Sequence, residues 1–196
     1  MPRQTLREVN GFDNTPAKLA DATLILVDYQ NTYTSGVMEL EGWRPALDVA
    51  AELLTAGRAA GATVIHIVHD GGTGSPYDLT AESGRIHSAV APIAGEPVVT
   101  KTAPNAFLGT DLGERIDATG RTDVVVAGFM THMCVTFTTE GAFLRGNRAT
   151  VVADACATRS LPGPTAEVPA HTLHSSALAT IADLYGVVVG SPAALR

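Results

Sequence analysis

The sequence is organised around one stretch, residues 122–139, which reads TDVVVAGFMTHMCVTFTT. Its first part, Val124–Ala127, is a short run of mostly β-branched apolar residues, which is typical of a strand buried on both faces of a parallel sheet. Cys134 follows, and a helix is predicted over residues 135–145. A cysteine at such a strand-to-helix junction lies at the carboxyl edge of the sheet, where open α/β folds bind ligands. The same position also suits a small buried residue, so Cys134 is either a reactive thiol or part of the core.

Apolar runs and helical patterns alternate along the rest of the chain. Five further buried strands are predicted at residues 22–28, 63–68, 97–101, 149–154 and 187–189. Helices are predicted at residues 44–61, within 105–120 and at 169–184, after a polar, irregular arm at residues 1–20. This alternation predicts a three-layer α/β/α fold with a doubly wound, mostly parallel sheet of about six strands. Because no repeat or linker divides the chain, we expect residues 1–196 to form a single domain.

The composition limits the kinds of molecule that we expect the protein to bind. Thirteen basic residues against 20 acidic residues give a net charge of −7, and Lys and Arg do not cluster, so we expect no nucleic-acid partner. No apolar run approaches the ~18–20 residues of a membrane span. The N-terminus lacks the apolar core of a signal peptide, so a cytoplasmic location is predicted. Cys134 and Cys156 have no CxxC spacing, which makes a disulfide framework or a structural zinc site unexpected.

Three of the predicted strands end near groups that can do chemistry, namely Asp28, Lys101 and Cys134. Because parallel strands end at the same edge of a sheet, these three side chains could converge. The carboxylate can accept the thiol proton, and the ammonium can stabilise both anions. The ammonium and the predicted helix N-terminus lead us to expect a pKa of Cys134 below the ~8.5 of a free thiol, although the carboxylate opposes this. Structural roles stay open, with Asp28 as a turn cap and Lys101 as the point where its strand reaches solvent.

The segments that carry these residues resemble a known family. LILVDYQN around Asp28, VVTKTAPNAF around Lys101 and VVAGFMTHMCVTFTT around Cys134 are similar to the signature segments of the isochorismatase-like cysteine hydrolases. That superfamily includes nicotinamidases and N-carbamoylsarcosine amidohydrolases, and the similarity runs over about residues 22–189. The resemblance implies the α/β/α fold and a hydrolase that acts on a small-molecule substrate. It would cleave a C–N bond of an amide, carbamoyl compound or lactam through a thioester intermediate.

The resemblance also implies a role for each residue of a catalytic triad. Cys134 would attack a carbonyl carbon, Asp28 would accept its proton and pass it to the leaving amine, and Lys101 would hold and polarise the pair. A cis peptide bond between Phe129 and Met130 would turn a backbone N–H inward. The backbone N–H groups of Met130 and Cys134 would then form an oxyanion hole.

Departures from the subfamilies refine this interpretation. Nicotinamidases carry an Asp-x-His pair after the second strand that binds a divalent metal, whereas this chain continues as HDGG at residues 69–72. We therefore predict neither a metal nor another cofactor. Isochorismatases proper cleave a vinyl ether without a cysteine nucleophile, so Cys134 favours acyl chemistry. Two alternatives stay open: an ester or isochorismate-type ether hydrolase on the same scaffold, and a non-catalytic ligand-binding or redox-sensing protein. The presence of Asp28 and Lys101 favours catalysis over sensing.

The remaining expectations concern the substrate pocket and the assembly. Candidate pocket residues, chosen because they lie near the site segments, are Gln30, Tyr33, Trp43, Phe107 and Thr131. His132 could line the pocket or have a capping or packing role, and the glycine-rich residues 69–78 are predicted to form a loop over the site. The family resemblance further implies a homo-oligomer, either a dimer or a tetramer.

Overall fold

A six-stranded parallel sheet forms the centre of the protein, which is described by a computed structural model over residues 3–196. Its strands are β1 (Ala22–Val27), β2 (Thr63–His69), β3 (Val98–Lys101), β4 (Asp123–Gly128), β5 (Arg148–Val152) and β8 (Gly186–Val189). Between the last two lies a short antiparallel hairpin of β6 (Leu161–Pro162) and β7 (Glu167–Val168). The order across the sheet is β3-β2-β1-β4-β5-β8, and all five pairings are parallel.

Helices cover both faces of this sheet. They are α1 (Leu6–Val9), α2 (Trp43–Ala60), α3 (Leu112–Asp117), α4 (Thr136–Leu144) and α5 (Ala170–Thr180). Successive side chains of a strand point to opposite faces. Leu24 of β1 therefore packs in one core with Leu53 of α2, while its neighbour Ile25 packs in the other core with Ile116 of α3. The predicted three-layer α/β/α fold with a doubly wound sheet of six strands is confirmed.

Several predicted boundaries differ from the structure. The helix predicted at residues 169–184 ends as an α-helix at Thr180, and Ile181–Tyr185 form a π-helical turn. Another π-helical turn, Thr131–Val135, precedes α4. Cys134 therefore lies inside this turn, whereas the sequence pattern predicted that it directly precedes an α-helix beginning at Val135. A π-helical turn has no simple sequence period, which explains the error.

The N-terminal arm is more ordered than predicted. Thr5 and Glu8 form a capping box that begins α1, with Thr5 N–H donating to the Glu8 carboxylate at 2.8 Å and Glu8 N–H donating to the Thr5 hydroxyl at 3.2 Å. Arg7 is buried, and its guanidinium donates to the carbonyl oxygens of Leu184 and Asp13. The prediction of an irregular arm was therefore wrong for residues 6–9, where the apolar pattern is too short to reveal a helix.

No helix within residues 3–196 is long and apolar enough to cross a lipid bilayer. The single-domain organisation of residues 1–196 stays a prediction.

Candidate active site

The carboxyl edge of the sheet brings together Asp28 after β1, Lys101 at the end of β3 and Cys134 in the turn after β4. Lys101 Nζ lies 2.7 Å from Asp28 Oδ2 and 3.3 Å from Cys134 Sγ. The three residues are 0%, 1% and 6% exposed, respectively. A carboxylate, an ammonium and a thiol are thus in contact in a site almost closed to solvent.

Local backbone geometry sets the position of Asp28. Its φ of 54° is in the left-handed region, which non-glycine residues rarely adopt and which is most common at functional sites. Asp28 N–H still donates to Ile67 O of β2 at 3.1 Å, so the turn begins directly from the sheet. Gly128 of β4 permits close packing here, because a Cβ at that position would lie 2.2 Å from Val27 O. The chain can therefore leave β1 abruptly and direct the carboxylate toward Lys101.

The turn that carries Cys134 is anchored at both ends. Val135 N–H donates to Met130 O at 3.2 Å, the bond that defines the π-helical turn, and Thr131 N–H donates to Ala157 O at 3.0 Å. The peptide bond between Phe129 and Met130 is cis. Among residues 3–196, the Met130 N–H has no hydrogen-bond acceptor, whereas the N–H groups of Phe129 and Thr131 on either side donate to Val27 O and Ala157 O. The oxyanion hole stays a prediction.

Burial and charge determine the protonation of the site. Burial raises the pKa of Cys134 to about 12, and Asp28 adds to this rise while Lys101 opposes it. Burial also raises the pKa of Asp28, with Lys101 acting in the opposite direction. Burial would lower the pKa of Lys101, but the charges of Asp28 and Cys134 outweigh it and raise that pKa overall. The expectation of a lowered thiol pKa was wrong, because burial and the neighbouring carboxylate dominate over the ammonium.

These shifts make direct proton transfer the favourable route to a thiolate. Ionising Cys134 alone would place two buried negative charges beside one positive charge. Transferring the thiol proton to Asp28 leaves one negative charge and one positive charge, as before. Within residues 3–196, neither carboxylate oxygen of Asp28 accepts a hydrogen bond. The negative charge of Asp28 is balanced by its ion pair with Lys101. The carboxylate is thus available to accept a proton.

His69 belongs to the same cluster and was missed by the sequence analysis. Its Nδ1 lies 3.3 Å from Lys101 Nζ, and the two residues are paired in register between β2 and β3. The second strand was predicted to end at Val68, and its extension by one residue brings His69 to the carboxyl edge. Burial lowers the pKa of His69, and the positive charge of Lys101 lowers it further.

Two tyrosines cover the cluster. The rings of Tyr33 and Tyr77 are 5.7 Å apart, and Tyr77 also packs edge-on against His69 at 4.9 Å. Burial raises the pKa of Tyr33, and the nearby charges of Asp28 and Cys134 raise it further, so its hydroxyl stays protonated. Tyr33, one of the five candidate pocket residues, therefore lies close to Asp28 and Cys134.

The loop that supplies Tyr77 is held by Asp78, a buried carboxylate. Asp78 accepts hydrogen bonds from Gly74 N–H at 2.8 Å and from the Thr80 N–H and hydroxyl at 2.9 and 2.6 Å. Residues 70–78 of the glycine-rich segment therefore form a loop at the site, as predicted, whereas residue 69 belongs to β2.

Two further pocket candidates have structural contacts instead. Gln30 is 0% exposed, and its side-chain N–H groups donate to His69 O at 2.9 Å and Gly84 O at 2.7 Å, while its oxygen accepts from His69 N–H at 2.9 Å. The hydroxyl of Thr131, also 0% exposed, is bonded to His174 Nδ1 at 2.9 Å. The polar groups of Gln30 and Thr131 thus join the strand ends to the surrounding loops and α5, and their assignment to the pocket stays a prediction.

The two aromatic candidates pack in or against the core. Trp43 is the first residue of α2 and is 9% exposed, with its ring 4.3 Å from the Arg44 guanidinium and 6.2 Å from His87. Phe107 packs partly buried against the core beside α4, 5.6 Å from the Arg145 guanidinium. These contacts do not identify Trp43 or Phe107 as a pocket residue. The sequence alone could not distinguish an aromatic residue of the core from one that lines a pocket.

His132 and Arg159 lie at the margin of the site. His132 Nδ1 is bonded to the hydroxyl of Thr158, and both of its roles named above, lining the pocket and capping or packing, stay open. Burial lowers the pKa of His132, and the positive charge of Arg159 lowers it further. Arg159 Nε is buried and has no hydrogen-bond partner among residues 3–196. No sequence signal separates this arginine from an ordinary surface arginine.

A cleft of about 550 Å³ lies next to this margin, over the end of β5. Its wall includes Thr158 and His174, which are bonded to His132 and Thr131 of the Cys134 turn. The triad itself does not line the cleft. In the described part of the chain, no group of three or more His, Cys, Asp and Glu side chains could hold a metal ion.

The fold and the cluster define a class: three-layer α/β/α proteins with a carboxylate, an ammonium and a thiol at the carboxyl edge of a parallel sheet. The chain belongs to the isochorismatase family of hydrolases, since the model of the isochorismatase domain matches residues 22–192.

Known proteins resemble most of the chain. The structure of an isochorismatase from Pseudomonas putida KT2440 has a TM-score of 0.96 and 37% identity, with 100% of both chains covered. The secreted isochorismatase effector Isc1 of Verticillium dahliae is 32% identical over 188 residues, 95% of this chain and 97% of that protein. Maleamate amidohydrolase of Pseudomonas putida is 31% identical over 165 residues, 72% of each protein.

Proposed function

We propose that this protein is a cysteine hydrolase that cleaves a C–N bond of a small amide, carbamoyl compound or lactam. The observation that carries the proposal is the contact of Lys101 Nζ with both Asp28 Oδ2, at 2.7 Å, and Cys134 Sγ, at 3.3 Å. A sensor thiol needs no positioned proton acceptor, whereas a nucleophile does. The similarity to maleamate amidohydrolase, whose name denotes an amide hydrolase, supports the same chemistry.

The first half of the reaction forms a thioester. The S–H proton of Cys134 moves to Asp28 as Sγ attacks the carbonyl carbon of the substrate, and Lys101 stays paired with the remaining negative charge. The oxygen of the tetrahedral intermediate would accept hydrogen bonds from the N–H groups of Met130 and Cys134. Asp28 then donates its proton to the nitrogen, the C–N bond breaks, and the amine leaves.

The second half regenerates the thiol. Asp28 accepts a proton from water as the water oxygen attacks the thioester carbon. The C–S bond breaks, the proton returns from Asp28 to Cys134 Sγ, and the carboxylic product leaves. Burial excludes bulk water, so these charge movements occur where the ammonium acts most strongly.

Arg159 favours substrates that carry an anionic oxygen. Its Nε is buried without a partner among residues 3–196, and a guanidinium in this condition can donate a strong hydrogen bond to a carboxylate. Besides burial, the charge of Arg159 lowers the pKa of His132, which lies two residues before Cys134, and this charge also acts on Tyr77. Both effects support a position of the guanidinium at the margin of the triad. Arg159→Met should therefore raise KM for anionic amides by roughly tenfold and leave KM for neutral amides almost unchanged.

A second candidate is an ether or ester hydrolase on the same scaffold, favoured by the 32% identity to a protein named as an isochorismatase effector. The test is turnover of small amides, esters and a vinyl ether by the wild type and Cys134→Ala. Amide turnover that is lost in Cys134→Ala, with an acylated Cys134 in the mass spectrum of the wild type, supports the proposal. Ether turnover that persists in Cys134→Ala supports the second candidate instead.

A redox-sensing role is less well supported. Cys156, the other cysteine, is 5% exposed, and its thiol donates to Val152 O at 3.3 Å, so it occupies a packed position. The cytoplasmic location and the homo-oligomeric state stay predictions.

A further inference from the structure

The ammonium of Lys101 has three polar partners. It forms an ion pair with Asp28 Oδ2 at 2.7 Å and hydrogen bonds with Cys134 Sγ at 3.3 Å and His69 Nδ1 at 3.3 Å. A lysine ammonium carries three N–H donors and no acceptor, so each partner must offer a lone pair. Lys101 is 1% exposed, so bulk water cannot replace a missing partner. Asp28 and Cys134 take part in the proposed reaction, and His69 does not.

This arrangement specifies the protonation of His69. Nδ1 can accept a hydrogen bond only when it carries no proton, so the ring must be neutral with its proton on Nε2. The residue is also held in place, because its backbone N–H donates to Gln30 Oε1 at 2.9 Å and its carbonyl accepts from Gln30 Nε2 at 2.9 Å. The ring of Tyr77 also packs edge-on against the imidazole, with the ring centroids 4.9 Å apart.

We propose that His69 is a positioning residue that, when neutral, accepts a hydrogen bond from Lys101 and, when protonated, disables the site. This inference rests on the proposed function only where it predicts changes in catalytic rate. Protonation would place a second positive charge beside Nζ and remove its acceptor, so the ammonium would move away from the thiol and the carboxylate.

Four groups face His69 from the elements packed around it. They are Lys101 of β3, Asp28 after β1, Asp70 next in the chain and Tyr77 of the covering loop. Asp28 and Asp70 favour the protonated ring, whereas burial and Lys101 oppose it more strongly, which lowers the pKa of His69. The neutral form is therefore the one present near neutral pH.

The test compares two substitutions that differ in one property. In His69→Asn the side-chain oxygen takes the place of Nδ1 as an acceptor but cannot be protonated, whereas His69→Leu has no acceptor. Near neutral pH, we expect kcat to fall by roughly tenfold or more in His69→Leu with little change in KM, and to stay within about threefold of the wild type in His69→Asn. Asp70→Asn, which can still accept from Gly72 N–H, is the matched control.

The pH profile gives the second readout. Asp28 titrates in every variant. Loss of the His69 charge would by itself raise the pKa of Asp28 and move the acid limb to higher pH, so a shift to lower pH is specific to the titration of His69. The acid limb of kcat should move to lower pH in His69→Asn. An unchanged limb, wild-type kcat in His69→Leu, or an equal loss in both variants would each overturn the proposal.

A third readout is independent of activity. Nitrogen-15 NMR of the unreacted protein near neutral pH should show His69 with an unprotonated Nδ1. A proton on Nδ1 would refute the inference even if the protein hydrolyses amides. Conversely, wild-type turnover by Cys134→Ala would overturn the proposed function and leave the NMR result to decide the role of His69.

Discussion

Replacing Lys101 by methionine removes the positive charge of the site while keeping an unbranched side chain. Asp28 is 0% exposed, and its Oδ2 lies 2.7 Å from Lys101 Nζ, so the variant contains a buried carboxylate without a counter-ion. Removing one partner of a buried ion pair typically costs about 3–5 kcal/mol. We expect Lys101→Met to lose that much free energy of unfolding at about pH 7.

The loss of unfolding free energy in Lys101→Met should grow as the pH rises. Burial already raises the pKa of Asp28 in the wild type, and the loss of Lys101 raises it further. Below about pH 4 the carboxyl group is protonated in both the folded and unfolded states, and the penalty disappears. As the pH rises toward the folded-state pKa, the unfolded state binds fewer protons than the folded state. The stability then falls by about 1.4 kcal/mol per pH unit, and the fall stops above that pKa.

Urea unfolding followed by circular dichroism, at about pH 5, 6 and 7, measures both the loss and its slope. The control is the double variant Asp28→Asn/Lys101→Met, which removes both charges and should recover most of the lost stability. The reasoning would be refuted by a single-variant loss below about 1 kcal/mol at about pH 7. It would equally be refuted by a loss independent of pH, or by a double variant no more stable than the single variant.

Three further predictions concern other parts of the protein. Arg58 holds the pKa of Glu96 at about 2. Their ion pair should therefore add roughly 2 kcal/mol to the free energy of unfolding above about pH 4.5, and this contribution should fade as the pH falls toward 2. Urea unfolding of Glu96→Gln should show a smaller pH dependence in this window, and an unchanged one would contradict the assignment. Activity should survive dialysis against EDTA, and a loss restored by zinc or manganese would refute metal-independent catalysis. Light scattering should give at least twice the 20.3 kDa of one chain, whereas a monomer at micromolar concentration would refute the homo-oligomer.

The sequence alone determined the architecture and the three residues that meet at the sheet edge. Strands buried on both faces appear as local apolar runs, such as Val124–Ala127, and parallel strands necessarily end at a common edge. Asp28, Lys101 and Cys134 could be placed near one another for this reason, before any distance was known.

The tertiary structure decided the environment of those residues. The direction of the thiol pKa shift depends on burial and on the distances to Asp28 and Lys101, which no local pattern encodes. His69 entered the cluster because β2 extends one residue further and pairs in register with β3.

The role of each loop residue also depended on the tertiary structure. Gln30 and Tyr33 lie three residues apart in one polar loop, yet the first is bonded to the backbone of two distant segments and the second packs beside the triad. The direction of a loop side chain depends on contacts between segments far apart in sequence. Strand patterns are local and could be predicted, whereas these contacts arise only when the chain is folded.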